Sequence, residues 1–255
     1  MGIRENEGRY VRSRSLRDTA VKKKHPLNFM DRAVASHHII SCEATRRLSS
    51  YRRKQITYKG YDVNHTWNLV ILPMQDKIAC QYKLPLHSSS HKDSGIVTHY
   101  EKSMGVSVSG LQSELKSEVL NESDQLKKKI FEDDVAVIDV LSGYHKVVGV
   151  KLARTLKGLN CKTNKERFTA KLDDLSIDIL GEISRNKLLL IQRGANFLPG
   201  KSGCETCSEP NAKTNRVHFN SQDNALRDPL INLPMHSQLL RAAQLNLPPL
   251  RRGLE

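Results

Sequence analysis

Three short segments decide the fold and the candidate site predicted for this chain. They are SHHII (Ser36–Ile40), NLVILP (Asn68–Pro73) and LHSSSH (Leu86–His91). The second segment holds an apolar run that stops at a proline, a pattern that predicts a short buried strand. The first segment places two adjacent histidines at the end of another short apolar stretch. Residues 30–100 are therefore expected to form a small mixed α/β unit.

Helical patterning dominates the chain beyond that unit. Thr163–Glu166 has the pattern of a capping box, and the apolar positions that follow it fall on one helical face. The fold class expected is α+β, mostly α. Helices are predicted over residues 43–54, 96–104, 111–120, 126–156 and 163–187, with interruptions near Gly143 and Gly149. Residues 188–191 are predicted to form a strand or to end the last helix.

Four regions are expected from these patterns. Residues 1–29 are predicted to be a basic, flexible arm, and 30–120 the functional core. A helical extension over 121–198 is expected to pack on that core. Residues 199–255 are rich in Pro, Asn and Ser, so a poorly ordered C-terminal segment is predicted there.

The charge of the chain indicates a polyanionic partner. Its 255 residues include 41 Lys and Arg against 27 Asp and Glu, a formal net charge of +14. Residues 1–60 hold 15 of the basic residues and five acidic ones, which is +10 of that total. A protein this basic most often binds nucleic acid.

Composition also excludes several classes of protein. The longest apolar runs are far shorter than the roughly 20 residues that a bilayer span needs, so no membrane partner is expected. Five cysteines in a chain of this length do not make a disulfide scaffold. The basic N-terminus has no apolar segment of the signal-peptide type, so a cytoplasmic location or export by a non-Sec route is predicted.

The histidines supply the candidate chemistry. His87 and His91 have the H-x3-H spacing, which on a helix places two imidazoles one turn apart for a transition metal. The three serines between them indicate the start of a helix rather than its interior. His65 and His99 are close enough in sequence to replace either ligand. Neighbouring side chains on a strand point to opposite faces, so a twist or strand end is needed before His37 and His38 serve one site.

Together these segments resemble the HNH or His-Me finger nucleases, and most closely the AHH nucleases found among bacterial polymorphic toxins. The resemblance spans residues 36–100. Ser36 stands where the family usually has alanine. The other matching features are Tyr61–Asn64, the run from Trp67 to Pro73, and Leu86–His91 with Tyr100 beyond it.

The resemblance implies a ββα-metal core and a metal-dependent endonuclease with little sequence specificity, acting on DNA, with RNA as the alternative substrate. It implies that His38 is the general base and that His37, His87 and His91 bind one divalent ion. Asn68 would hydrogen-bond to the backbone or to the ring near His38; the alternative is a turn residue before the strand. Imidazole ligands suit Zn²⁺ or Ni²⁺, whereas Mg²⁺ and Mn²⁺ suit oxygen ligands, so the ion stays open. A toxin would also have an immunity protein as a partner.

Four arginines follow the histidine pair and are expected to bind the nucleic-acid backbone. The alternative is that they form the solvated face of a helix. They are Arg46, Arg47, Arg52 and Arg53.

Two other functions remain open from the sequence. The basic N-terminal region would serve a non-catalytic nucleic-acid-binding protein in which the histidines are structural. A zinc-stabilised module would bind its ion through Cys204, Cys207 and His218, although no second cysteine pair with zinc-finger spacing follows them. A redox pair or coincidence explains the same two cysteines.

Overall fold

A computed structural model describes residues 34–64, 68–82, 84–88, 91–198, 201, 203 and 204. Strand β1 (Val34–His38) pairs antiparallel with strand β2 (Leu69–Pro73), and His38 lies opposite Leu69. All five residues of β2 are buried, as expected for a continuous apolar run that is covered on both faces. The predicted strand at residues 69–72 is therefore confirmed.

Helices make up most of the remaining described chain, which confirms the α+β, mostly α class. They are α1 (Cys42–Arg47), α2 (Ser50–Tyr58), α3 (Asp76–Tyr82), α4 (Ser94–Met104), α5 (Val108–Leu120), α6 (Gln125–Asp139), α7 (Gly143–Lys157) and α8 (Lys165–Ser184). A 3₁₀ helix at Gln192–Phe197 follows α8.

Local capping explains where two of the predicted helices differ from the structure. The helix expected over 43–54 is broken, because the side chain of Ser49 accepts the N–H of Arg52 at 3.2 Å and starts α2. Helix α8 is capped by Asn164, whose side chain accepts the N–H of Arg167 at 2.8 Å, and not by Thr163.

The interruption predicted near Gly143 is confirmed, whereas the one predicted at Gly149 is wrong. Helix α7 runs through Gly149, and a Cβ there would lie 2.6 Å from Cδ1 of Leu141. This glycine therefore allows close packing against Leu141 and does not interrupt the helix. Residues 188–191 form neither a strand nor the end of α8.

One hydrophobic cluster joins the strands to the helices. It contains Ile39 and Ile71 from the strand region and Ile138, Val148 and Ile179 from α6, α7 and α8. The predicted core at 30–120 and the predicted extension at 121–198 thus share a single apolar interior. As a consequence, side chains of the later helices reach the residues around the histidine pair.

The predicted arm at 1–29 and most of the predicted segment 199–255 lie outside the described residues. Among the helices that are described, none combines the length and the apolar character needed to cross a membrane.

Candidate functional site

Three imidazoles meet beside the end of β1. His37 lies on β1, and His87 and His91 lie on the loop between α3 and α4. One ring nitrogen from each residue lies within 4.8 Å of the other two. The centroid of the His37 ring is 5.0 Å from that of His87 and 5.1 Å from that of His91. The structure thus brings together the three residues that the sequence predicts as metal ligands.

Backbone hydrogen bonds hold the loop that carries two of these histidines. The N–H of His87 donates to the carbonyl of Pro73 at 2.9 Å, so the loop starts against the end of β2. The carbonyl of His91 accepts the N–H of Tyr144 at 2.9 Å, which ties the loop to α7. His91 itself has a φ of 61°, a left-handed conformation that is uncommon for residues other than glycine and occurs often at functional sites.

The carbonyl of Leu190 sets the tautomer of His91. Nδ1 of His91 lies 2.8 Å from this carbonyl oxygen, which can only accept, so Nδ1 carries the proton. The lone pair of the neutral ring is then on Nε2, which lies 3.2 Å from Nε2 of His87. Metal-binding histidines commonly hold their second nitrogen in this way.

His37 is the most buried of the three. Its Nε2 is buried and has no hydrogen-bond partner among the residues that the structure describes. Burial, followed by repulsion from the imidazoles of His87 and His91, lowers the pKa of His37 well below its ordinary value. Burial likewise lowers the pKa of His91, despite the opposing effect of the Leu190 carbonyl. Both rings are therefore held neutral, the form that binds a cation.

These residues fit a divalent metal ion. Two nitrogens that are each about 2.05 Å from a tetrahedral ion are separated by about 3.3 Å, close to the 3.2 Å between the Nε2 atoms of His87 and His91. A cation would also use the buried Nε2 of His37, whose isolation otherwise costs free energy. Three protein ligands are typical of catalytic zinc sites, whereas structural sites have four.

His38 is directed to a different partner from His37. Its Nε2 lies 3.0 Å from Oδ1 of Asn64, and Nδ2 of Asn64 donates to Oδ1 of Asp62 at 3.0 Å. The carboxylate only accepts, so it fixes the orientation of the amide, and Oδ1 of Asn64 must accept from His38. The neutral His38 ring then has its lone pair on Nδ1. The two adjacent histidines therefore serve separate contacts, as their positions on a strand require.

Asn68 fixes the backbone just beyond the histidine pair. Its Oδ1 accepts the N–H of Ile40 at 2.6 Å and the hydroxyl of Ser176 at 3.1 Å. Its Nδ2 donates to the carbonyls of Val63 at 2.8 Å and of Ile40 at 3.2 Å. Of the two contacts expected for Asn68, the one with the backbone near His38 is observed.

Sequence reasoning missed the residues that α7 contributes. The hydroxyl of Tyr144 donates to the carbonyl of Ile39 at 2.6 Å, and its ring packs 5.0 Å from the ring of His37. Next to it, Nδ1 of His145 lies 2.7 Å from Oγ of Ser41. Neither residue belongs to a motif, and both are about a hundred positions from their partners, so no pattern in the sequence indicated them.

Two of the four arginines expected to bind nucleic acid are exposed. Arg46 and Arg47 both pair with the carboxylate of Glu43 on α1, and their side chains are 45% and 39% exposed. The guanidinium groups of Arg46 and Arg47 therefore lie at the surface of α1.

The expectation for Arg52 is wrong, because its side chain is only 3% exposed. Its Nε donates to Oδ2 of Asp134 at 2.8 Å, and Nη1 donates to the carbonyl of Leu159 at 3.0 Å. Arg52 thus joins α2 to α6 inside the protein. Arg53 is half-buried, with its Nε inaccessible to solvent.

The remaining candidates lie apart from the three-histidine cluster or outside the described residues. The N–H of Cys204 donates to Sγ of Cys80 at 3.4 Å, and both residues are buried in a small separate apolar cluster. Nε2 of His99 donates to the carbonyl of Asn186 at 2.8 Å. Cys207, His218 and His65 lie outside the described residues.

No protein-family model, curated protein or solved structure matches this chain.

Proposed function

We propose that this protein is a metal-dependent endonuclease that hydrolyses phosphodiester bonds, in DNA more readily than in RNA. The observation that carries the proposal is that two adjacent histidines on one strand contact different groups. His37 joins His87 and His91 in a cluster that fits a cation, whereas His38 is oriented separately by Asn64. A hydrolase of this kind needs both an ion and a base, and each of the two adjacent histidines would serve one of these roles.

The metal and the base have distinct tasks in the proposed reaction. A divalent ion held by His37, His87 and His91 would stabilise negative charge on the phosphoryl oxygens. His38 would take the proton from the attacking water, with its ring oriented by the contact between Nε2 and Oδ1 of Asn64. An imidazole performs this task near neutral pH without large tuning. Asp62 acts through Asn64, because its carboxylate fixes the orientation of the Asn64 amide.

The topology supports a comparison with the ββα-metal nucleases. The two strands are antiparallel, with α1 and α2 between them; α3 follows β2, and the loop with His87 and His91 then leads into α4. We propose that β1, β2 and this loop form such a core. The charge of +14 supports a nucleic-acid substrate bound chiefly through its phosphates, with little sequence specificity. The role of a toxin with an immunity partner stays a prediction from the resemblance.

Plasmid cleavage tests the proposal. The chelator-treated protein is incubated with supercoiled DNA, single-stranded DNA and RNA in the presence of Zn²⁺, Ni²⁺, Mg²⁺ or Mn²⁺. We expect cleavage with at least one ion and its loss in His38→Ala. The matched control is His99→Ala, which removes an imidazole outside the cluster. Equal cleavage by wild type and His38→Ala would contradict the proposal.

A non-catalytic nucleic-acid-binding protein is the second candidate, and the observation that favours it is the basic composition. It predicts salt-dependent binding of DNA without cleavage under any of the four ions. It also predicts that His38→Ala binds DNA as the wild type does.

A further inference from the structure

Helix α2 presents two tyrosines on its solvent face. Tyr51, Lys54 and Tyr58 are exposed, whereas Arg52 and Ile56 between them are buried. Positions i, i+3 and i+7 lie on one face of a helix, so the three exposed side chains share one surface. Tyr58 is 72% exposed and Tyr51 42%. A single exposed apolar residue needs no explanation, but two aromatic rings on one helix face form a surface that a partner can cover.

The segment that leads into α8 lies against both tyrosines. The hydroxyl oxygen of Tyr51 is 3.1 Å from Sγ of Cys161, and Nζ of Lys165 is 5.1 Å from the centroid of the Tyr58 ring. Nζ of Lys59, just beyond α2, donates to the carbonyl of Cys161 at 2.7 Å. Helix α2 and residues 161–165 therefore form one continuous surface. We call it the tyrosine platform, and its members are Tyr51, Lys54, Tyr58, Lys162 and Lys165.

The tyrosine platform is cationic. Helix α2 contains three basic residues and no acidic one, and residues 161–167 add three basic residues against the single carboxylate of Glu166. Lys54, Lys162 and Lys165 are exposed, and none of them pairs with a carboxylate within the part of the chain that the structure describes. Positive charge beside exposed aromatic rings complements a polyanion whose monomers carry flat rings.

The tyrosine platform is separate from the three-histidine cluster. Tyr144, in the first turn of α7, packs against the ring of His37. Arg52, next to Tyr51 in the sequence, bonds to the carbonyl of Leu159, just beyond the last turn of α7. Helix α7 has 15 residues and is about 22 Å long. The two surfaces therefore lie near opposite ends of this helix.

We propose that the tyrosine platform binds single-stranded nucleic acid, with bases stacked on Tyr51 and Tyr58 and phosphates held by the three lysines. The inference rests on the nucleic-acid substrate of the proposed function and adds a contact with it away from the histidines. Base faces are covered in a duplex, so only an unpaired base stacks on a tyrosine. The tyrosines are about 10.5 Å apart along the helix axis, about three times the spacing of stacked bases, so they contact bases that are not neighbours.

Binding of a fluorescently labelled oligothymidylate in the presence of a chelator tests the platform without any cleavage. An oligonucleotide of about 20 nucleotides exceeds the roughly 4–16 nucleotides that one binding fold covers. We expect Tyr58→Leu to weaken binding about tenfold, because stacking on the ring is lost, and Tyr58→Phe to bind as the wild type does. The matched control is Leu120→Ala, which shortens another side chain that is 72% exposed.

The lysines are tested by the dependence of this binding on salt. Lys165→Ala should reduce the slope of the logarithm of affinity against the logarithm of salt concentration by about 0.7, the value for one phosphate contact on a single strand. Lys102→Ala, which removes an exposed lysine from α4, should leave the slope unchanged. An unchanged slope in Lys165→Ala would remove this lysine from the proposed contact.

A duplex and an oligouridylate complete the experiment. Equal losses of affinity for duplex and single strand in Tyr58→Leu would exclude stacking, as would equal losses in Tyr58→Leu and Tyr58→Phe. A loss seen only with the oligouridylate would make RNA the ligand. A wild type that binds neither single strand would overturn the inference.

The inference and the proposed function fail separately. A wild type that cleaves no nucleic acid, but whose Tyr58→Leu variant loses single-strand binding, would refute the nuclease and leave the platform intact. A wild type that cleaves DNA, and whose Tyr58→Leu variant binds both single strands unchanged, would refute the platform alone.

Discussion

The backbone carbonyl of His91 accepts a hydrogen bond from the N–H of Tyr144 at 2.9 Å. This contact joins a candidate metal ligand to the first turn of α7, and it is possible only because the chain at Gly143 comes very close. Gly143 has a φ of 55°, and a Cβ at this position would lie 2.4 Å from the same carbonyl oxygen. The placement of His91 thus depends on a glycine in another part of the chain.

We expect Gly143→Ala to destabilise the protein by about 2 kcal/mol and to weaken metal binding, because the added methyl group pushes the His91 loop away. Chemical denaturation and calorimetric metal titration measure the two effects. Gly158→Ala is the control, since the nearest atom to a Cβ there is 3.9 Å away. If Gly143→Ala binds metal as the wild type does, the contact between loop and helix does not position His91.

Removal of one metal-binding histidine should abolish the stabilisation of the folded protein by the ion. The wild type is expected to gain about 2.7 kcal/mol of unfolding free energy when the free ion is at 100 times its Kd, and to lose this gain with a chelator. His37→Ala should lower metal affinity by at least about 100-fold and abolish the response. His99→Ala should retain the response. A chelator-insensitive wild type would contradict the metal site.

The contact between Asn64 and His38 can be tested by removing the side chain of Asn64. Asn64→Ala removes the acceptor for Nε2 of His38, so the ring loses its fixed tautomer. We expect kcat to fall about 10- to 100-fold with little change in metal affinity. The control is Asn121→Ala at the exposed end of α5. A loss of metal affinity in Asn64→Ala would place Asn64 in a different role.

The unfolding free energy of the metal-free protein should fall as the solution becomes acidic. The pKa of His37 and that of His91 are lowered in the folded state, chiefly by burial, so the unfolded chain binds protons more readily. Stability from these groups is fully present above their ordinary pKa of about 6.5 and is lost as the pH falls toward the folded values. Urea unfolding at pH 8 and pH 5 measures the difference, which should shrink in His37→Asn.

Substitution of the buried Arg52 should lower stability, whereas substitution of the exposed Arg46 or Arg47 should weaken DNA binding. Arg52→Leu leaves the buried carboxylate of Asp134 without its partner and should cost about 3 kcal/mol or more of unfolding free energy. Arg46→Ala and Arg47→Ala should change stability by less than about 0.5 kcal/mol and instead weaken DNA binding, with a smaller dependence on salt. Stability that is unchanged in Arg52→Leu would contradict the buried pair.

Much of the fold could be predicted from the sequence because it depends on local patterns. The apolar run at 69–72 and the helical periodicities at 96–104 and 111–120 are properties of neighbouring residues, and the structure has a strand and helices there. The grouping of His37 with His87 and His91 was also predicted, but from the resemblance of three sequence segments to a nuclease family and not from local patterns.

The parts that could not be predicted depend on contacts between distant positions. Nothing near Asn64 in the sequence shows that it holds His38, and nothing near Tyr144 shows that it contacts Ile39. Arg52 illustrates the opposite error. Its basic neighbours indicated a nucleic-acid surface, but its burial depends on Asp134, which lies 82 positions away on α6, and no local pattern shows that the two side chains meet.

The hydrogen bonds around the histidines span nearly the whole described chain. His91 depends on Leu190, Asn68 on Ser176, and Ser41 on His145, pairs that are 99, 108 and 104 positions apart. Contacts of such sequence separation require the closure of long loops, whose entropic cost opposes their formation. During synthesis, a nascent chain that has not yet released Leu190 from the ribosome therefore carries the histidines without their final arrangement. The three histidines reach their final arrangement only after the residues that surround them have been translated and folded.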